Sequence, residues 1–182
     1  VTRGLDGLRE RLVEYKALGA KFAKWRAVIT IGKGIPSEAC NSANAHALAR
    51  YAALCQEAGI VPMVEPEVWI DGDHSIEQSY EATKTTLEEL FRELAHQEVA
   101  LEGVILKASM VIAGKSAGKQ SSVEEVADQT LRALNSAVPK NLAGVVFLSG
   151  GQGDEQATAN LNAMNLKGPH PWPLSFSYSR AI

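Results

Sequence analysis

The sequence predicts an α/β fold built on parallel strands, and three observations carry that reading. Helix-like and strand-like segments alternate along the chain. The central strands are nearly continuous apolar runs, as expected where both faces of a sheet are covered. Polar residues capable of chemistry stand at or near the C-terminal ends of the strands, where barrels and open parallel sheets build their sites. Alternation of this kind implies parallel strands joined by right-handed crossovers.

The first helix is expected over Leu5 to Leu18, with Leu5, Leu8 and Leu12 on one face and Gly19 at its end. Phe22 to Ile29 reads as the first strand. A loop with Gly32, Gly34 and Pro36 leads to Ser37, a helix cap, and then to Leu48, Tyr51, Ala52 and Cys55 at helical spacing. Gly59 stands where a helix C-cap belongs, and Ile60 to Glu65 forms the second strand. Asp71-Gly72-Asp73 is a turn, and Ser75 with Gln78 makes a capping box. Ile76, Tyr80, Thr83, Leu87, Leu90 and Leu94 trace the face of the helix it opens. Val104 to Lys107 is the third strand. Ser122 and Glu125 make a second capping box, with Val123, Val126, Leu131 and Leu134 turned inward. Gly144 to Ser149, a helix over Asp154 to Met164, and Leu174 to Tyr178 complete the series.

The 182 residues fit one domain, with no linker or low-complexity tract to divide them. A net charge of −3 gives no footprint for nucleic acid. No apolar run reaches the length of a membrane span, and no signal-peptide pattern opens the chain. The start at Val1, running almost at once into a helix, reads as the interior of a longer protein. Cys40 and Cys55 lie 15 residues apart on one predicted helix, roughly 22 Å. A disulfide needs Cα atoms within about 7 Å, so both are expected as free thiols, as in a reducing cytosol. His46, His74, His96 and His170 show no metal-ligand spacing and read as surface or structural residues. Asp71-Gly72-Asp73-His74 lacks the remaining ligands of a calcium loop, and Trp25 reads as packing.

Two architectures suit the pattern, an open doubly wound sheet and a (β/α)8 barrel. Neither G-x-G-x-x-G after a strand nor a P-loop is present, which weighs against a nucleotide-binding sheet. Lys24, Glu65, Lys107, Ser149 and Arg180 would converge on one face as two amines, a carboxylate, a hydroxyl and a guanidinium. Lys107 follows three large apolar residues. Burial disfavours a charged amine, a neighbouring cation such as Lys24 acts in the same direction, and a neutral amine attacks ketones. The alternative is a lysine that snorkels to solvent. Glu65 is either a general acid/base or the partner of an ion pair with Lys24 or Lys107, and Glu67 is a second or supporting acid/base. Ser149-Gly150-Gly151 is either a simple turn or a phosphate cradle of backbone N–H groups and a hydroxyl, with Arg180 as its bidentate partner.

Read in order, Gly4-Leu5-Asp6-Gly7-Leu8, Phe22-Ala23-Lys24-Trp25-Arg26, Val64-Glu65-Pro66-Glu67, Leu101-Glu102-Gly103, Leu106-Lys107, Phe147-Leu148-Ser149-Gly150-Gly151-Gln152, Leu161-Asn162-Ala163-Met164-Asn165 and Ser175-Phe176-Ser177-Tyr178 span essentially the whole chain. This series resembles the class I fructose-bisphosphate aldolases. The resemblance implies a (β/α)8 TIM barrel, of which residues 1–182 supply about strands four to eight, the C-terminal part of a single domain. It implies that Lys107 forms a Schiff base with fructose 1,6-bisphosphate, whose C3–C4 bond then breaks to give glyceraldehyde 3-phosphate and dihydroxyacetone phosphate. Lys24 and Arg26 match the family's other basic site residues, Glu65 its acid/base in dehydration, Glu67 the adjacent glutamate, and Ser149, Gly150 and Arg180 its phosphate-binding positions. It further implies no metal or organic cofactor, a cytosolic or plastid location, a role in glycolysis and gluconeogenesis, and a homotetramer.

Three residues depart from the family pattern. Ala108-Ser109 stands where Pro-Asn is common, and Ser179 stands before Arg180 where glycine is usual. The first three strands, with the family's first-strand aspartate, and the C-terminal tail are absent from this chain. A barrel of this type takes about 200 residues or more, so 182 residues alone are expected to be poorly soluble or inactive. Competing readings are another Schiff-base barrel, such as a transaldolase or keto-acid aldolase, and a non-catalytic phosphate-binding or scaffold remnant. The order of the motifs favours the fructose-bisphosphate enzyme.

Overall fold

Strands and helices alternate in the computed structural model, which describes residues 4–178. The strands are β1 (Phe22–Ile29), β2 (Val61–Val68), β3 (Ile105–Ala108), β4 (Gly144–Phe147) and β5 (Leu174–Phe176). The helices are α1 (Leu8–Ala17), α2 (Glu38–Glu57), α3 (Ile76–His96), α4 (Val123–Ala137) and α5 (Asp154–Leu166). All strand pairs are parallel and their order is β1-β2-β3-β4-β5. A doubly wound sheet reverses its strand order at a switch point. A strictly sequential order with the helices packed side by side, α1 to α5, is instead the wall of a barrel.

The wall has two faces because side chains alternate along a strand. On the helix side, Ile29, Val64, Leu106, Val145 and Phe147 are fully buried. Val64, Leu106, Val145 and Phe147 meet Leu48, Tyr51, Ala52 and Cys55 of α2, Leu87, Leu90 and Leu94 of α3, and Val126 and Leu134 of α4 in one continuous core, while Ile29 packs with Val68 and Ala82 in a smaller second cluster. The opposite face is polar toward its centre, where Lys24, Arg26, Glu65, Glu67 and Lys107 point. Its β1 edge exposes Phe22, Val28 and, from β2, Val61.

Local signals set the element ends. Both capping boxes form: Ser75 accepts from the Gln78 amide and Ser122 from the Glu125 amide, with the reciprocal bonds present. Ser37 caps α2 by accepting from the Cys40 amide. Three expectations need correction. The first helix begins at Leu8, not Leu5, because Gly4 and Gly7 take φ of 56° and 60°, which a right-handed helix does not admit. Val123 is 39% exposed, since it opens α4 at the end of the packed stripe.

The third correction concerns β2, which runs through Pro66 to Val68 instead of ending at Glu65. The amides of Val61 and Trp69 bond back to Lys21 and Ile29, so odd-numbered amides of β2 point at β1. Pro62 and Pro66 therefore face the other way. There β3 pairs only with Met63 and Val64, and the missing N–H groups interrupt no ladder.

Cys40 and Cys55 are both free and both on α2, as the spacing implies. Cys55 is fully buried, and burial pushes its thiol up to about 11. A native-state alkylation at pH 8 is expected to label Cys40 and spare Cys55 until the protein unfolds, read by peptide mass. Equal labelling rates would contradict the packing of α2 on β2. Because the folded value is raised, the Cys55 contribution to stability is complete below the unfolded thiol range. It is lost as pH climbs from that range toward about 11.

Candidate active site

Register builds the site. Lys24 pairs with Met63, Arg26 with Glu65, Met63 with Ile105, and Lys107 with Val146. Residues paired across parallel strands share a face, so Lys24, Glu65 and Lys107 project together from three adjacent strands. The Lys107 amine stands 3.2 Å from Glu65 Oε1, and the Lys24 amine 2.9 Å from Glu65 Oε2. The side chains of Glu65 and Lys107 are 4% and 6% exposed, whereas Lys24 is 39% exposed. Glu65 Oε2 is buried and, among the described residues, has the Lys24 amine as its ionic partner with no hydrogen bond formed.

One layer nearer the rim, Arg26 is ion-paired with Glu67 and lies 5.3 Å from the centre of the Trp69 ring. The hydrogen bond that Arg26 donates to the Glu67 carboxylate holds its guanidinium above its ordinary value. A cleft of about 700 Å³ opens over these groups. Its rim comes from segments following the strands: Trp69 to Asp71 after β2, Lys115 after β3, Leu148 to Gly151 after β4, and Ser177 with Tyr178 after β5. The site therefore lies at the C-terminal ends of the strands, the functional end of such walls.

Ser149 to Gln152 form a turn closed by the Gln152 amide on the Ser149 carbonyl, 3.0 Å. Gly150 and Gly151 take φ of 58° and 84°, the left-handed pair that a type I′ turn demands. Such a turn uses only its fourth amide internally, so the two glycine amides are available to an anion. The turn is fastened from below. Asn160 of α5 donates to Gln152 Oε1 at 2.6 Å, and Gln152 Nε2 donates to the Ser149 carbonyl at 3.3 Å. Ser109 donates to the Val68 carbonyl at 2.9 Å and ties the end of β3 to β2.

The structure thus brings together Lys24, Arg26, Glu65, Glu67, Lys107, Ser149 and Gly150 around one cleft. Arg180 and Ser179 lie outside the described residues. Lys107 stands one residue before the end of β3, near the strand end as expected, and Lys24 sits inside β1 as expected, whereas Glu65 lies within β2 because that strand runs on to Val68; alternation turns all three to the cleft. Trp69, Asp71, Lys115 and Tyr178 are additional lining residues to which sequence reasoning assigned no site role. Side chains on loops carry no periodic signal, whereas Gly151 stands in the lining as the glycine pair implied. Tyr178 has its hydroxyl buried with no partner among the described residues, and burial pushes the phenol up. The histidines are peripheral to the cleft. His46 pairs with Glu93 at 3.0 Å, His170 lies 2.8 Å from the Met164 carbonyl, and buried His74 is pushed down by desolvation.

The Glu65–Lys107 pair makes a stability prediction. Removing one member of a buried pair strands the other charge, typically at about 3–5 kcal/mol. Glu65→Ala is expected to destabilise by about that order, and Lys107→Met in the same background to recover most of it. Urea denaturation of the single and double variants checks this. Additive losses would show that the two groups are not coupled.

Comparison with known proteins is consistent with this geometry. The family described as "Fructose-bisphosphate aldolase class-I" matches residues 1–182. A probable fructose-bisphosphate aldolase class 1 of Xanthomonas campestris is 67% identical over all of this chain and 54% of its own length. The fructose-bisphosphate aldolase of Dictyostelium discoideum is 51% identical over all of this chain and 51% of its own. Among solved structures, the fructose-bisphosphate aldolase of Plasmodium falciparum, crystallised with TRAP and a small-molecule inhibitor, superposes with a TM-score of 0.95 at 47% identity. That match covers 97% of this chain and 52% of that one. The chain spans about half the length of the curated relatives it matches. A sequential parallel wall, paired lysines on one glutamate and a glycine turn at the rim, found in a chain of this similarity, lead to one conclusion: the chain belongs to the class I fructose-bisphosphate aldolase family.

Proposed function

We propose that the protein carrying this chain cleaves fructose 1,6-bisphosphate reversibly through a Schiff base on Lys107. The observation that carries the reading is the Lys107 amine, buried at the base of the cleft and 3.2 Å from the Glu65 carboxylate. A nucleophile and a proton carrier at that separation suffice for imine chemistry. In this reading Lys107 gives a proton to Glu65 and adds to the ketone carbon, forming the C–N bond as the C=O π bond breaks, and the carbonyl oxygen takes up the second proton that the attacking nitrogen gives up. Glu65 returns its proton to the hydroxyl, which leaves as water, and the imine nitrogen retains a positive charge.

The protonated imine accepts the electron pair of the C3–C4 bond as it breaks. The C4 hydroxyl loses its proton to a base that the reading places in the part of the fold this chain does not span. Glyceraldehyde 3-phosphate leaves, and an enamine of dihydroxyacetone phosphate remains. Protonation of the enamine carbon and addition of water restore the ketone and the lysine. Lys24, sharing Glu65 at 2.9 Å, steadies that carboxylate through the changes of charge, and Arg26 with Glu67 orients the sugar above it. Ser149 and the Gly150 amide take a phosphate, with Arg180 in the same role. Because the imine is the electron sink, the reading calls for no metal or organic cofactor.

The same reading makes residues 1–182 part of a single barrel domain, in a homotetramer of the cytoplasm or a plastid that acts in glycolysis and gluconeogenesis. The cytoplasmic part of the reading is supported by the cytosolic relative from Arabidopsis thaliana, 50% identical over the whole of this chain. No helix among the described residues is long and apolar enough to cross a membrane.

Borohydride reduction in the presence of dihydroxyacetone phosphate is expected to leave a stable adduct on Lys107, located by intact mass and peptide mapping. Lys107→Arg is expected to abolish the adduct and to lower sugar cleavage by at least about a hundredfold. A folded full-length protein that gives no adduct would sink the catalytic reading and favour a phosphate-binding scaffold.

A further inference from the structure

Lys115 is held at the rim with more care than a surface lysine needs. The loop after β3 is stitched to the loop after β2 by three backbone bonds: Gly114 amide to His74 carbonyl at 2.8 Å, Lys115 amide to Ile70 carbonyl at 3.0 Å, and Ser116 amide to Gly72 carbonyl at 2.9 Å. Contact is so close that a Cβ at Gly114 would stand 2.3 Å from the Gly72 carbonyl oxygen, so only glycine fits there. The backbone of Lys115 is thereby fixed against the cleft.

Its side chain crosses to the glycine turn. A Cβ on Gly151 would lie 2.7 Å from the Lys115 amine and 2.9 Å from its Cε, so the bare glycine makes room for the cation. The amine is ion-paired with Asp71 Oδ1 at 3.1 Å, and that pair holds the Asp71 carboxyl below its usual range. Both partners are half-exposed, at 51% and 54%. An exposed pair of that kind contributes little and exchanges readily. A phosphate monoester carries nearly two negative charges and three acceptor oxygens, a stronger partner than one carboxylate.

We propose that Lys115 is a specificity-determining residue that leaves Asp71 and binds the substrate phosphate seated on the Ser149–Gly151 turn. The proposal rests on the phosphate role given to that turn above. Asp71 is then a built-in competitor: it parks the amine while the site is empty and screens it from weaker anions.

Inorganic phosphate, titrated calorimetrically into the full-length protein at low salt, is the probe. Lys115→Ala is expected to weaken phosphate binding by about tenfold, and Lys115→Arg to restore it to within about threefold. Asp71→Asn is expected to tighten it by about threefold, because the competitor is gone. A clasp that merely holds the loop would make Lys115→Ala and Asp71→Asn fail alike, and that result, or phosphate binding unchanged in Lys115→Ala, overturns the proposal. Borohydride trapping of dihydroxyacetone phosphate on Lys107 in the same variants separates the two readings. Failure to trap in the unsubstituted protein strikes the aldolase reading, while the phosphate titrations still decide the role of Lys115.

Discussion

A buried carboxylate between two amines sets the terms for the rest of this fold. Glu65 is 3% exposed, and an ionised carboxyl at that depth is tolerated only with a cation beside it. Lys107 supplies one from β3 and Lys24 another from β1, on opposite sides of the strand that carries Glu65. The arrangement fixes the register of three strands. A slip of one residue in β2 would turn Glu65 into the helix-side core, among Leu48, Tyr51 and Leu87, and present Val64 to the lysines. Hydrophobic packing and charge pairing therefore demand the same register from opposite faces of the sheet.

That agreement explains why the strands can be short. β3 and β4 are four residues each and β5 only three, yet each places apolar residues against the helices, while Lys107 of β3, Val146 of β4 and Ser175 of β5 share the opposite face. The longer β2 carries two carboxylates on the same face, one turn of the pleat apart. Its prolines fall on the side where β3 ends, which lets the strand extend past its neighbour to carry Glu67 and Trp69 to the rim. Loops do the remaining positioning. Gln152 anchors the glycine turn to α5, Ser109 ties β3 to β2, and the 114–116 backbone closes on residues 70–74.

Much of this was legible in the sequence, and the reasons differ by feature. β1 was read to the residue because Phe22 to Ile29 sits between Gly19 and Gly32, and the capping boxes at Ser75 and Ser122 mark helix starts by a pattern of only four residues. Lys107 stood out because an amine after Val104-Ile105-Leu106 needs a reason to be there. The end of β2 was misread because Pro66 is ordinarily a strand breaker, and which side of the strand its missing N–H faces depends on pairing. The start of α1 was misread because leucine spacing cannot report that Gly4 and Gly7 adopt left-handed φ. Asp71, Lys115 and Tyr178 could not be found at all. They join the cleft through loop paths set by tertiary contacts such as Gly114 against Gly72, and no periodicity encodes those.

The ionic groups are graded by depth, and the grading matches what each can do. Glu65 with Lys107 lies beneath nearly all solvent, where separating the charges is costly, so the pair can pass a proton internally but will not be pulled apart by a passing anion. Glu67 is 10% exposed and its partner Arg26 40%, so the arginine can reach outward while the carboxylate stays in place. Asp71 and Lys115 are half in water at the rim, where a Coulomb pair is screened and easily exchanged. An anion entering this cleft thus meets cations that yield in order, the rim first and the base last. Lys107 keeps Glu65 beside it at that depth, the condition that the proposed Schiff-base role sets for a lysine that must lose and regain a proton without leaving its place.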